Sequence, residues 1–401
     1  MSGQAKEGSK REFFPQLTSV RFFAALIVIL YHYDAELKPY LPSLVWNFIN
    51  HGYVGVSFFF VLSGFILAAN YYDRLLDKTV SKADFWWARF SRIYPLYILS
   101  ILVVLPRLFL PAGMDPLPEQ ANYAHSHPFE LFFVVVFALQ SFAFPSGGYF
   151  NSPAWSISTE VFFYLCLPFM LRLIKSIPTR RLFITLVCLF IAAWIGPYFY
   201  HQHVFQQLFQ IKDRTYSESF DSFLNQLVRM CFITRLPEFL SGIIAYRLYR
   251  EVLRDNPKPI YGVMGFLASL PFIVVMFIEP NDNMLNTVLY TGQALGLPFF
   301  VFLILWLIMS KSKVISALSS TKWVLMGEAS FALYLFHIPI KNAGQLIAPK
   351  LLHIEKDNAL FALVLIAFSI WISIVLFNRV ETPWRKRLAG WYKARQAKKA
   401  T

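Results

Sequence analysis

The sequence predicts an all-α, polytopic transmembrane helix bundle of about ten spans plus one re-entrant or interfacial helix, with both termini cytoplasmic. Three observations predict it. Of 401 residues, 57% are hydrophobic and only 15% charged, where a soluble domain carries roughly 25% charged residues. Apolar runs of membrane length recur along the whole chain. Finally, 27 of the 37 lysines and arginines fall in alternate connecting segments once the N-terminus is placed inside, as the positive-inside rule requires.

The expected spans are 14–33, 53–71, 93–111, 154–174, 182–200, 229–248, 260–279, 287–309, 324–346 and 359–380. Residues 131–144, LFFVVVFALQSFAF, are too few to cross a bilayer. Counting them as a span would move the basic segment 172–181 outside, so they are expected to be re-entrant on the outer side. Lys6, Lys10 and Arg11 before the first run mimic a signal peptide, but Arg21 interrupts the run and no small-residue cleavage site follows, so an uncleaved span is expected. The chain divides into a cytoplasmic segment 1–13, a membrane domain 14–380 and a basic cytoplasmic tail 381–401 beside anionic lipid. The net charge of +14 follows this topology and does not argue for a nucleic-acid partner. Cys166, Cys188 and Cys231 all sit in apolar runs, and no disulfide is expected.

Ionisable residues inside spans mark the candidate chemistry. Arg21 and His32 are eleven positions apart, which places them on one helix face about 16 Å apart along the axis. An intramembrane arginine turns to a bundle interior or polar cavity; the plainer reading makes Arg21 a topology anchor and His32 a helix-end residue. Arg89 and Arg92 share a face at the start of the third span. Their forked donors suit phosphate groups, and positive-inside flanking is the alternative. In NSPAWSISTEVFFYLCLP, Ser152 and Pro153 read as a cap and first helical residue. Glu160 then lies about 10 Å inside, behind Trp155 and Ser156, as either a structural ion-pair partner or a carboxylate that orients a catalytic histidine. Ser330 and His337 share one face of the ninth span, where a structural histidine is the plainer reading. Gly52, Gly55, Ser63 and Gly64 are small residues that permit close helix packing. His125-x-His127 and His201-x-His203 lack a completing ligand set, so no metal site is expected.

Taken in order, these stretches resemble the membrane-bound acyltransferase family 3. The family's basic residue, ten residues and histidine in the first span correspond to Arg21 and His32. Its R-x-x-R is matched by Arg89 and Arg92, and its W-S-x-x-x-E-x-x-F-Y-x-x-x-P by Trp155, Ser156, Glu160, Phe163, Tyr164 and Pro168. V-L-S-G-F stands at Val61 to Phe65. The late S-x-x-L-Y-L-x-H-x-P matches Ser330, Leu333, Tyr334, Leu335, His337 and Pro339, and E-x-P follows at Glu381 and Pro383.

The resemblance implies O-acyl transfer, usually of acetyl, from cytoplasmic acyl-CoA to a hydroxyl of an extracytoplasmic carbohydrate such as lipopolysaccharide O-antigen or exopolysaccharide. It implies a bacterial inner or plasma membrane. Arg89, Arg92 and Arg21 would hold the donor. His32 would act as general base or transient acyl carrier, oriented by Glu160. Trp155, Ser156, Ser63, Tyr164, Ser330 and His337 would surround the substrates. A transporter or flippase of a lipid-linked sugar would also use intramembrane Arg, His and Glu, although such folds commonly show internal repeats, and none is visible here. A third possibility is an assembly subunit without chemistry, which would tolerate change at His32 and Glu160.

Overall fold

The protein is described here from a computed structural model covering residues 12–106, 126–142, 151–199, 230–279, 294–355 and 358–400. All its regular structure among those residues is helical. The principal helices are α1 (Pro15–His32), α2 (Val54–Leu76), α3 (Lys82–Val104), α4 (Pro128–Val136), α5 (Ala154–Lys175) and α6 (Leu182–Phe199). They continue with α7 (Phe232–Leu248), α8 (Pro259–Val275), α9 (Gly296–Met309), α10 (Thr321–Ile347), α11 (Ala359–Leu376) and α12 (Thr382–Ala400).

The expectation of ten spans does not hold. Among the described residues, 6 helices are long and apolar enough to cross a membrane: Pro15–His32, Val54–Leu76, Lys82–Val104, Ala154–Lys175, Thr321–Lys350 and Ala359–Lys398. Helices do form at the other four expected positions. However, α8 and α9 have only 17 and 14 residues, and α7 has 17 and carries Arg235, Glu238 and Arg247. Helix α6 ends at the edge of the described residues. The re-entrant helix is not distinguished either. Residues 131–136 belong to the nine-residue α4, and Leu131 and Val135 pack into an apolar cluster with Leu96, Tyr97 and Leu335. The chain then turns at Ala138, whose φ of 53° ends the helix.

Two helix starts differ from expectation. Helix α3 begins eleven residues before the expected 93. Ser81 caps it, accepting from the Asp84 amide at 3.0 Å while Asp84 accepts from the Ser81 amide at 3.2 Å, a reciprocal pair that satisfies two orphan donors. Helix α5 starts at Ala154 with Pro153 as its cap, one residue later than Ser152 and Pro153 suggest. Residues 107–111 and 287–293 of two expected spans, with His125, His201 and His203, lie outside the described residues.

The centre of the bundle is α2, packed on α7, α1, α5 and α9. Its contact with α7 depends on two glycines. A Cβ at Gly64 would stand 2.1 Å from the Phe239 carbonyl oxygen, and one at Gly242 2.0 Å from that of Val61. Likewise a Cβ at Gly327 would stand 1.9 Å from the Thr18 oxygen, so α1 and α10 meet backbone to backbone. The expected packing role of Gly52, Gly55 and Gly64 is met in each case. Aromatic side chains fill the remaining interior, as where Phe163 stacks on Phe239 at 4.6 Å. Leu363, Val364, Phe368 and Trp371 of α11 point outward, as a surface solvated by lipid tails permits.

Candidate functional site

The early start of α3 changes where its arginines stand. Arg89 and Arg92 lie two to three turns inside the helix. Arg89 donates to the Tyr71 hydroxyl at 3.1 Å and its guanidinium lies 5.3 Å from that ring's centre. Its buried Nε has no hydrogen-bond partner. Both arginines stand within electrostatic reach of Tyr164 on α5.

Next inward is a carboxylate layer. Ser63 of α2 donates to Glu160 Oε1 at 3.2 Å, and Tyr164, one turn further along α5, lies within electrostatic reach of Glu160. Arg21 of α1 stands in the electrostatic field of Arg92, Glu160, Glu381 and Tyr164. The packing explains why these groups share a level. Gly52, in the turn before α2, meets Ile27 and Tyr31 of α1 and Gly55 of α2 meets Ala24, whereas Phe65 meets Phe14. Ser63 therefore lies toward the start of α1. Its partner Glu160 is thus brought to Arg21, about three turns from His32.

A hydroxyl pair occupies the middle. Ser156 Oγ and Tyr334 Oη are 2.9 Å apart, and each reaches the Pro153 carbonyl, at 2.9 and 3.3 Å. Trp155 is buried, edge-on to Phe60, with Arg235 5.5 Å from its ring centre. Ser330 is fully buried and donates to Gly327 of its own helix at 2.7 Å, so the side chain serves α10 locally.

At the far end two histidines meet. The His32 and His337 rings are 4.9 Å apart, edge to face. His32 Nδ1 lies 2.7 Å from the Val28 oxygen and His337 Nδ1 2.7 Å from that of Tyr334. A nitrogen facing a carbonyl must carry the proton, so each neutral ring keeps its lone pair on Nε2. His337 Nε2 is buried and without a hydrogen-bond partner. Glu160, expected to orient His32, is met by Ser63, while the His32 ring is met by the Val28 oxygen and by His337.

The lysine that closes this end escapes motif reading. Lys341 donates to the His32 carbonyl and forms an ion pair with Glu36 at 2.8 Å; Gln345 also donates to Glu36, at 2.9 Å. Burial, opposed by Lys341, holds the nearby Asp34 carboxyl above the usual range. A second feature missed in the sequence is the buried pair Arg235–Glu238, 2.8 Å apart on α7, with Ser57 accepting from Arg235 at 3.1 Å. Its i,i+3 spacing is the signal that could have revealed it.

The whole arrangement is a polar seam through an apolar bundle, from Arg89 to Lys341. It can bind anions at one end and accept a proton at the other. Among the described residues no group of three or more His, Cys, Asp or Glu side chains could hold a metal ion.

A family model described as acyltransferase domain matches residues 14–378. The acyltransferase MdmB of Streptomyces mycarofaciens is 28% identical over 93% of this chain and 92% of its own. The peptidoglycan O-acetyltransferase OatA of Listeria monocytogenes is 24% identical over 94% of this chain and 56% of its own. The O-acetyltransferase OatA of Staphylococcus aureus is 22% identical over 94% and 58%. The chain thus spans little more than half the length of the two OatA proteins. No solved structure matches it.

Proposed function

This chain belongs to the acyltransferase family whose domain it matches over residues 14–378, and on that premise we propose that it acetylates an extracytoplasmic glycan from cytoplasmic acetyl-CoA. It is a membrane-embedded acyltransferase, and its family membership supports an acyl-CoA donor. The finer reading is carried by one observation: the ionisable seam runs from paired arginines on α3, through Arg21, to paired histidines at the opposite end of α1.

Arg89 and Arg92 would take the phosphates of CoA, since forked guanidinium donors match phosphate oxygens. Arg21 would continue that positive path inward along the flexible arm of the donor. His32 would act at the acceptor. Its Nε2 takes the proton from a sugar hydroxyl while that oxygen attacks the thioester carbonyl. The tetrahedral adduct collapses, the carbon–sulfur bond breaks, and CoA leaves as the thiol after gaining a proton. Burial of His337 against the half-buried His32 strengthens the polar interactions there. A glycan acceptor and a bacterial cell membrane are suggested by the peptidoglycan O-acetyltransferase among the relatives.

The test uses cells lacking the gene, complemented with wild type, His32→Ala or Arg92→Ala at matched expression. Base-labile esters on extracted surface glycans are then counted by mass spectrometry. Wild type restores them, with a mass increment that identifies acetyl, and neither variant does. Esters unchanged across all strains while glycan export drops would sink this reading and favour a transporter.

A further inference from the structure

Glu381 stands at the junction of α11 and α12, where residues Phe377–Glu381 form a single turn of π-helix. Such turns insert one extra residue and re-aim the side chains after it, often at functional sites. Here the turn leaves Arg379 exposed and carries Glu381 inward to 2% exposure. Arg385, one turn on, stands 4.0 Å from Glu381 Oε1, while Oε2 is buried with no hydrogen-bond partner. Arg92 and Arg21 both lie within its electrostatic reach. The segment bearing it packs directly on α3, and Trp87 of α3 donates to the Leu388 carbonyl of α12 at 3.0 Å.

A buried carboxylate oxygen left unmatched is costly, and Glu381 meets Arg385 only at 4.0 Å while Arg92 and Arg21 lie within its electrostatic reach. Resting on the donor-site reading above, we propose that Glu381 is a built-in anion of the donor site, competing with the CoA phosphates for Arg92 and Arg21 and so promoting release of spent CoA. Without it, Glu160 would be left to oppose three guanidiniums that hold a tetra-anionic product. With it, each departing phosphate leaves the arginines a resident counter-charge.

The test is equilibrium binding of coenzyme A to the purified full chain in nanodiscs, with stopped-flow dissociation and acetyl-CoA kinetics on the same samples. Glu381→Gln should tighten CoA binding about tenfold, most of it in the dissociation rate, and lower KM and kcat together. Glu381→Asp keeps the charge but withdraws it by one methylene, and should tighten binding about threefold. A residue that only supported the fold would weaken binding or leave it unchanged, because a loosened site holds its ligand less well. Equal or weaker CoA binding in the variants that purify with wild-type melting would overturn the proposal. Failure of the wild type to bind CoA would instead remove the donor-site reading beneath it, so the two failures are told apart by the first titration.

Discussion

The bundle holds two clusters of buried charge that are built on different plans. Arg235 and Glu238 sit three residues apart on α7 and meet at 2.8 Å, with Ser57 supporting the arginine. Both are nearly fully buried. Arg21, Arg92, Glu160 and Glu381 come instead from α1, α3, α5 and the turn before α12. They feel one another's fields, yet among the described residues Arg21 and Arg92 close no direct ion pair. The first cluster has consumed its own charge. In the second, the arginines stand apart from the carboxylates whose fields they share. Local spacing sets the close pair; tertiary assembly alone sets the open one.

The comparison breaks most visibly at the end of the seam. His32→Ala should lower turnover by about 10²–10⁴-fold, the usual contribution of a positioned general base, and leave the melting temperature of the purified protein almost unmoved. A parallel collapse of thermal stability would make His32 a packing residue and erase the distinction.

The reverse pattern is expected on α7. Glu238→Ala leaves Arg235 buried without its counter-charge, which costs about 3–5 kcal/mol. Folded yield and melting temperature should fall, and activity per folded molecule should stay within about twofold. The double variant Arg235→Met, Glu238→Leu should recover most of the loss, because apolar side chains of similar volume replace buried pairs well. Thermal unfolding of the wild type, Arg235→Met, Glu238→Leu and the double variant forms a double-mutant cycle, and strong loss of activity in folded Glu238→Ala would move this pair into the site.

A smaller effect separates binding from folding. Arg92→Ala removes a charged donor that no protein carboxylate has closed upon, so stability should hardly change. Coenzyme A affinity should fall about 10–100-fold, the worth of charge-assisted bonds to phosphate. Titration of the purified variant checks it. An unchanged dissociation constant would place the donor phosphates elsewhere.

How much of this was legible in the sequence depends on whether a feature is local. Arg21 and His32 could be placed on one face from their spacing alone, and the glycines of the second span could be read as close contacts. The span count failed because apolar composition does not report helix length: α9 has only 14 residues and α7 is interrupted by charge. The start of α3 was hidden by its own chemistry. Its first turns are too polar to enter an apolar run, and the signal lay in Ser81 and Asp84 as a cap pair. The partner of His32 was beyond reach for a different reason. Glu160 and His337 are both polar residues deep in spans, and only the level at which α2, α5 and α10 cross α1 assigns one to Arg21 and the other to His32. Lys341 contacts a backbone carbonyl, and no side-chain pattern encodes that.

The finest test of the two plans uses a histidine outside the spans. His51 follows the short helix Ser43–Asn50, is 2% exposed, and its Nδ1 meets the Asn47 oxygen at 2.8 Å. This is the local, self-satisfied arrangement of the α7 pair, so it should bear on stability alone. Burial, only partly opposed by the Asn47 bond, lowers its pKa from 6.5. The sign follows from linkage. Above that value both folded and unfolded states hold the ring neutral, and the term vanishes. As pH falls below it, the unfolded chain takes a proton that the folded chain refuses, so stability declines by at most about 1.4 kcal/mol per pH unit until the folded ring titrates. Carboxylates titrate nearby in pH, so the informative quantity is a difference. The wild type should lose more melting temperature between pH 7.5 and 5.5 than His51→Gln, whose amide can keep a donor near Asn47 but cannot be charged. Activity at pH 7.5 should be the same in both. A large loss of transfer in His51→Gln would mean that a locally closed polar residue can serve the chemistry after all, and the line drawn between the two clusters would have to move.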